Sequence, residues 1–293
     1  MRVLITGCHG QVGSCLTKQL ANNENIAVLA LDREHLDITS QEAVNAIVAE
    51  FEPSIIINAA AHTAVDKAEE ELDLSYAINR DGPKYLAQAA QSVGAAMLHI
   101  STDYVFDGDK VGEYAETDAT NPQGVYGKSK LAGEIAVAQE CKKHIILRTA
   151  WVFGENGNNF VKTMLRLANS YESLSIVGDQ FGGPTYAGDI ASALVTIAKA
   201  ICNGETDRFG IYHFSGLPHV SWSQFAQAIF DEAVEQGVLK CSPAVNSITT
   251  EEYPTLAKRP ENSKLNTTLI RNTFGINASD WVSRLKLGIK RYE

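Results

Sequence analysis

The sequence has no run of about 18 consecutive apolar residues, so no segment has the length to cross a bilayer as a helix. It also has no CxxC pair. Its five cysteines (Cys8, Cys15, Cys141, Cys202 and Cys241) are odd in number and widely spaced. That pattern fits free thiols in a reducing compartment better than a disulfide framework or a zinc site. Positive charge is scarce: 25 Lys and Arg stand against 35 Asp and Glu, a net charge of −10. A broad phosphate-binding face is therefore not expected, which excludes nucleic acid as a partner, and an anionic ligand would need local dipoles and a few placed cations. Proline is sparse at 8 in 293 residues, and charged residues make up only 20%, which excludes a disordered or collagenous chain. The N-terminal MRVLITG turns glycine-rich after a handful of apolar residues, too few for the apolar region of a signal peptide. The expectation is a cytoplasmic protein that meets no membrane.

What the sequence has in quantity is short apolar, β-branched runs. They fall at Val3 to Thr6, Ile26 to Leu31, Ser54 to Asn58, Ala96 to Ser101 and His144 to Thr149, with helical periodicity between them. Runs without polar alternation, such as VLIT and SIIIN, suit strands buried on both faces. The fold class predicted is α/β, with a doubly wound parallel sheet and a smaller C-terminal α/β domain. Thr39 or Ser40 is expected to cap a helix from Gln41, with Pro53 ending it, and Asp81-Gly82-Pro83 to open a helix that closes at Gly94. After about Trp151 turns multiply. The helical pattern Asp189 to Cys202 and the strand-like Ile211 to Phe214 suggest a return to the first domain. The predicted organisation is a dinucleotide-type domain over 1–150 with a return at about 186–214, and a second domain over 151–185 and 215–293.

Three segments carry candidate chemistry. Gly7-Cys8-His9-Gly10-Gln11-Val12-Gly13 follows a strand and opens a helix, a setting for close backbone approach to a pyrophosphate held by helix N–H groups. Alone it could be an ordinary turn. Asp32, at the end of the second strand, lies near the ~20-residue offset of a ribose-binding acid. Its neighbour Arg33 could pair instead with the extra phosphate of NADP, or be a solvated cation. Tyr126 and Lys130 are four apart, on one helical face. An ammonium near a phenol favours the phenolate, so Lys130 is expected to lower the Tyr126 pKa; the bland alternative is a surface aromatic beside a solvated lysine. Thr102, at the end of the fourth predicted strand, is placed to donate a hydrogen bond to a substrate carbonyl, or to cap a turn.

With NAAAHTAVDKAE from Asn58, STDYVFDG from Ser101, YGKSKLAGE from Tyr126, RTAWVFG from Arg148, DQFGGPTYAGDIA from Asp179 and the late KRPENSKLN, these segments resemble the extended short-chain dehydrogenase/reductase superfamily. More narrowly they resemble its dTDP-4-dehydrorhamnose reductase family, over nearly the whole chain. The resemblance implies a Rossmann domain binding NADPH or NADH and a second domain binding a nucleotide-linked 4-keto-6-deoxysugar. It implies that Gly7, Gly10, Gln11 and Val12 meet the pyrophosphate, Asp32 and Arg33 flank the adenosine ribose, Asp37 and Ile38 lie near the adenine, and Ala59, Ala60, Ala61 and Thr63 line the dinucleotide. It further implies that Tyr126 supplies a proton, Lys130 holds the nicotinamide ribose and tunes Tyr126, Thr102 orients the ketone, and Asp103, Tyr104 and Trp151 contact the sugar.

Within the superfamily, a 4,6-dehydratase is expected to follow the active-site threonine with an Asp-Glu pair, whereas here Asp103 is followed by Tyr104. Elimination would lack its base, and reduction is the reading kept. Family dimers bridged by Mg²⁺ are expected to carry a glutamate where this chain has Cys15. A thiol is a poor magnesium ligand, so no metal site is expected, and a monomer or a homodimer without such a bridge stays open. His9, His62 and His99 lack metal-ligand spacing and are read as packing or hydrogen-bonding groups. A reductase of another nucleotide 4-keto sugar remains an alternative. So does a non-catalytic NAD(P)-binding subunit similar to the regulatory subunit of methionine adenosyltransferase.

Overall fold

The computed structural model describes residues 1–21 and 25–292. Its centre is a parallel sheet of six strands: β1 (Arg2–Thr6), β2 (Ala27–Leu31), β3 (Ile55–Asn58), β4 (Ala96–Thr102), β5 (His144–Thr149) and β6 (Gly210–His213). Their order across the sheet is β6-β5-β4-β3-β1-β2. Successive side chains of a strand enter opposite cores. Ile55 and Ile57 pack on one face and Ile56 on the other, and all three are fully buried. Both faces are apolar because both are covered, so these strands read as unbroken hydrophobic runs.

The helices that matter to the site are α1 (Gln11–Leu20), α2 (Gln41–Phe51), α3 (Gly82–Ser92), α4 (Val125–Glu140), α5 (Phe160–Ala168), α6 (Ala187–Cys202) and α7 (Trp222–Glu235). Leu16 and Leu20 of α1 and Ile190, Leu194 and Ile197 of α6 cover one face. Val44 and Val48 of α2, Leu86 of α3 and Val137 of α4 cover the other. Ser40 caps α2 through its side chain, accepting from the Ala43 N–H, and Gly94 takes the left-handed conformation just beyond α3, with φ +73°.

One expectation is corrected. The chain does not begin a new helix at Asp81: it is already helical from Leu72, and a π-helical turn over Ala77–Asp81 leads into α3. Asp81 is in helical conformation with no capping bond, because its carboxylate is held by the Arg80 guanidinium at 2.6 and 2.9 Å.

After β5 the chain enters a second cluster, where Phe153, Val161, Phe225, Ile229, Phe230, Trp281 and Ile289 pack together. The strands Ser173–Val177 and Ala244–Ile248 pair in parallel beside it. Between these excursions α6 packs on the six-stranded sheet and β6 joins it as the edge strand beside β5. No described helix is long and apolar enough to cross a membrane.

β1 has β2 on one side and β3 on the other, so the order reverses there and the loops after β1 and β3 part around a crevice. Ile57→Ala should leave a cavity between β3 and its covering helices and cost ~2–5 kcal/mol. Urea unfolding would read this as a lower midpoint at unchanged slope; an unchanged midpoint would contradict the packing.

Candidate active site

The turn after β1 is built by close backbone approach. Gly7 has φ +69°, and a Cβ there would stand 2.7 Å from the Ala60 nitrogen; a Cβ on Gly13 would meet the Gly7 carbonyl at 2.0 Å. The turn is therefore packed against Ala59 and Ala60 at the end of β3. Gly10 precedes α1 in extended conformation and no side chain caps the helix, which leaves its first-turn N–H groups and positive dipole end open to an anion. Beside it lies a hollow of about 440 Å³ lined by Gly7, His9, Gly10, Asp32, Arg33 and Glu34. An uncapped helix start, a turn flanked by glycines and an acid beside an arginine fit the phosphates and adenosine ribose of a dinucleotide.

Several predicted residues are otherwise occupied. Asp32 accepts from the Glu34 and His35 N–H groups and from the His35 ring at 2.7 Å, and these bonds hold its carboxyl below the usual range. The Gln11 side chain turns to the second lobe, accepting from Asn159 at 3.2 Å, so only its backbone remains at the helix start. Asp37 accepts from the N–H and hydroxyl of Thr39, and Ile38 is buried beside Gly82. Neither side chain lines the hollow. Ala61 is half-buried and Thr63 exposed in the loop after β3.

The second group gathers at the carboxyl end of β4. Thr102 and Asp103 are buried, Tyr126 is 9% exposed and Lys130 2%. α4 comes this close because Gly127 faces the Tyr104 carbonyl; a Cβ there would stand 2.2 Å from that oxygen. The helix is also pinned to β5 by a buried ion pair, Arg148 to Glu134, at 2.9 and 2.6 Å. Thr102 donates to Asp103 Oδ1 at 3.0 Å and accepts from the Tyr104 N–H. The Thr102 hydroxyl lies beside the Tyr126 phenol and favours its ionised form, and the Tyr104 ring stands edge-on to it at 5.3 Å.

Here the electrostatics differ from the sequence expectation. Burial pushes the Tyr126 phenol well above its ordinary value, only partly offset by the Thr102 hydroxyl. Lys130 does not pull it down: its own pKa falls to about 8 through burial, and its ammonium donates inward to the Ile100 carbonyl at 2.7 Å. Desolvation outweighs the attraction that the four-residue spacing suggested. The phenol is therefore protonated near neutrality.

Beyond Tyr104 opens a cavity of about 530 Å³ lined by Trp151, Phe160, Trp222, Tyr253 and Arg259 among others. Trp151 stacks on Trp222 at 3.5 Å and carries φ +50°, a strained backbone for a bulky residue. Arg259 donates to the Tyr104 hydroxyl at 3.2 Å and pairs with Asp66. In the sequence Arg259 stands out only as part of the late KRPENSKLN segment, and Asp66, Phe160 and Trp222 are not singled out. No local motif marks them, because four distant stretches of the chain meet to form the wall. His62 bonds Ser75 at 3.0 Å and Glu71 at 3.0 Å, and His9 stands 3.3 Å from Asp32. Among the described residues no group of three or more His, Cys, Asp or Glu could hold a metal ion.

Burial raises the Asp103 carboxyl to about 6. The folded protein thus holds that proton more tightly than the unfolded chain, so this contribution to stability is complete below about pH 4 and is lost as pH rises through about 6. Asp103→Asn should gain roughly 2–3 kcal/mol over the parent on going from pH 4 to pH 7.5. Urea titrations at both pH values test this; a gap that does not change with pH would show the carboxyl to be ionised throughout.

Comparison with known proteins agrees over the full length. A family model described as "RmlD substrate binding domain" matches residues 1–293. A dTDP-4-dehydrorhamnose reductase from Aggregatibacter actinomycetemcomitans is 57% identical, covering 97% of this chain and 97% of its own. Among solved structures, the dTDP-4-dehydrorhamnose reductase from Clostridium acetobutylicum superposes with a TM-score of 0.91 at 43% identity, covering 99% of each chain. That from Bacillus anthracis, solved in complex with NADP, gives 0.89 at 40% identity, covering 99% of this chain and 98% of its own. With the whole sequence matched at such identity, this chain belongs to the dTDP-4-dehydrorhamnose reductase family.

Proposed function

We propose that the protein reduces the C4 ketone of dTDP-4-dehydro-L-rhamnose to dTDP-L-rhamnose, using NADPH or NADH. The observation that carries this reading is a buried, protonated Tyr126 phenol beside Thr102 and one aromatic ring away from the 530 Å³ cavity. When bound, the nicotinamide supplies the hydride. The chain's own residues do the rest. Tyr126 gives its proton to the ketone oxygen as general acid, and the phenolate left behind is stabilised by the N–H bonds of Lys130 that the Ile100 carbonyl does not take. Thr102, which now donates to Asp103, turns that hydrogen to the ketone and orients it. Asp103, Tyr104 and Trp151 hold the deoxysugar, with the stacked indole offering an apolar face.

On this proposal 1–150 and 186–214 serve the dinucleotide, while 151–185 and 215–293 serve the sugar nucleotide. Gly7, Gly10 and the backbone of Gln11 and Val12 take the pyrophosphate. Asp32 and Arg33 take the adenosine ribose, Asp37 and Ile38 lie toward the adenine, and Ala59, Ala60, Ala61 and Thr63 line the path between. Lys130 also binds the nicotinamide ribose. The protein is taken to be cytoplasmic, in keeping with its five free thiols, and a monomer or a homodimer without a magnesium bridge, since Cys15 offers no hard oxygen ligand. The joint presence of Thr102, Tyr126 and Lys130 weighs against a non-catalytic binding subunit.

Mixing the protein with NADPH and dTDP-4-dehydro-L-rhamnose should consume the cofactor's absorbance; no oxidation with this or related 4-keto sugars would favour the binding subunit. Tyr126→Phe should lower kcat by ~10²–10⁴-fold while NADPH binding survives, and full turnover in that variant would remove Tyr126 from the mechanism. Arg33→Ala should weaken NADPH by about tenfold and leave NADH nearly unchanged, as loss of one phosphate contact implies. Titrations by cofactor fluorescence check this, and an equal loss for both cofactors would count against a 2′-phosphate role.

A further inference from the structure

Behind Lys130 runs a line of buried polar groups that the reaction above does not employ. Asn58 Oδ1 accepts from the Thr6 hydroxyl at 2.6 Å and from the Ala60 N–H at 3.1 Å. A backbone N–H only donates, so that contact settles which end of the Asn58 amide is oxygen. Nδ2 therefore donates to His99 Nδ1, 3.0 Å away, and the imidazole hydrogen must sit on Nε2. His99 is fully buried, and burial together with the Lys130 charge keeps it neutral. Its Nε2 faces Lys130 Nζ at 3.5 Å, while Nζ donates to the Ile100 carbonyl at 2.7 Å. Two nitrogens that both carry hydrogen thus confront each other, and no hydrogen bond joins them.

We propose that His99, locked by Asn58 as the Nε2–H tautomer, is a positioning residue for Lys130: it denies the ammonium a second inward acceptor besides the Ile100 carbonyl and so keeps two of its N–H bonds for the reacting side of α4. The inference rests on the role given to Lys130 above. The groups facing Lys130 are His99 and the Ile100 carbonyl from β4 and Glu134 from its own helix, with Tyr126 one turn earlier on that helix. Glu134 is already spent on Arg148. An acceptor in place of the Nε2–H would turn the ammonium inward and make it harder to deprotonate.

The experiment is the pH profile of kcat, with NADPH affinity measured alongside. Activity that needs the ammonium falls as pH rises through the Lys130 pKa, about 8 in this structure. Asn58→Asp would accept from His99 Nδ1 and leave a lone pair on Nε2. It should move the falling limb up by ~1 pH unit and lower kcat several-fold at neutral pH. Adding His99→Phe to Asn58→Asp should return the limb to its parental position. A limb that does not move in Asn58→Asp, or a shift that persists in the double variant and so belongs to the added charge alone, overturns the proposal. If Asn58→Asp does not fold, His99→Gln supplies an uncharged acceptor and should move the limb the same way; an unmoved limb there overturns it equally. Lys130→Met separates the two levels. Parental turnover in that variant sinks the role of Lys130 and this inference with it, whereas a large loss alongside unmoved limbs sinks the inference alone.

Discussion

A phenol and an ammonium one turn apart on α4 are both removed from water by the end of β4, and the site's chemistry follows from that desolvation. In water a tyrosine and a lysine four residues apart would do little to each other. With Tyr126 9% exposed and Lys130 2% exposed, the phenolate and the ammonium are both disfavoured, and the pair rests nearer its neutral forms. A neutral phenol holds a proton to give, and an ammonium shifted to about 8 sits close to working pH. Of the two, only the lysine is displaced toward working pH; the phenol keeps its proton but, taken alone, is a weaker acid than a free tyrosine.

The fold explains why that desolvation occurs where a dinucleotide could reach. The strand order reverses beside β1, so the glycine turn after β1 and the loop after β3 meet at one crevice, with Gly7 against Ala60. From there the buried line Ala60, Asn58, His99, Lys130 runs one strand across to α4. A line of polar groups thus leads from the loop beside the glycine turn, through the sheet's interior, to the helix that carries the phenol. The second lobe contributes the aromatic wall, and Gln11, bonded to Asn159, links it to the start of α1.

Charge is placed sparingly. A chain with net charge −10 has no general attraction for an anionic ligand, and the groups that could meet one are backbone N–H groups and Arg33 in the hollow beside the glycine turn and, in the larger cavity, Arg259, itself paired with Asp66. Other cations are already paired: Arg148 is consumed by Glu134 and Arg80 by Asp81. The strained backbone at Trp151 belongs to the same economy, since it sets an indole flat on Trp222 at the cavity wall, where packing holds a conformation the residue would not adopt alone.

The strands and the helices of the sheet domain could be read from local pattern. Ile55, Ile56 and Ile57 announce a strand covered on both faces, and Ser40 and Gly94 announce helix ends, because periodicity and capping act within a few residues. The glycine turn, Thr102, Tyr126 and Lys130 were legible for the same reason, each lying in a short segment of constrained chemistry. What the sequence could not determine was the sign of the electrostatics. The spacing of Tyr126 and Lys130 suggests mutual stabilisation of charge, but burial against β4 reverses it for the phenol and aims the ammonium at the Ile100 carbonyl. Nor could it foresee that Asp81 is paired rather than capping, or that Asp66, Phe160, Trp222 and Arg259 converge on one cavity. Solvent exclusion and long-range convergence are properties of the packed whole, and no stretch of a dozen residues contains them.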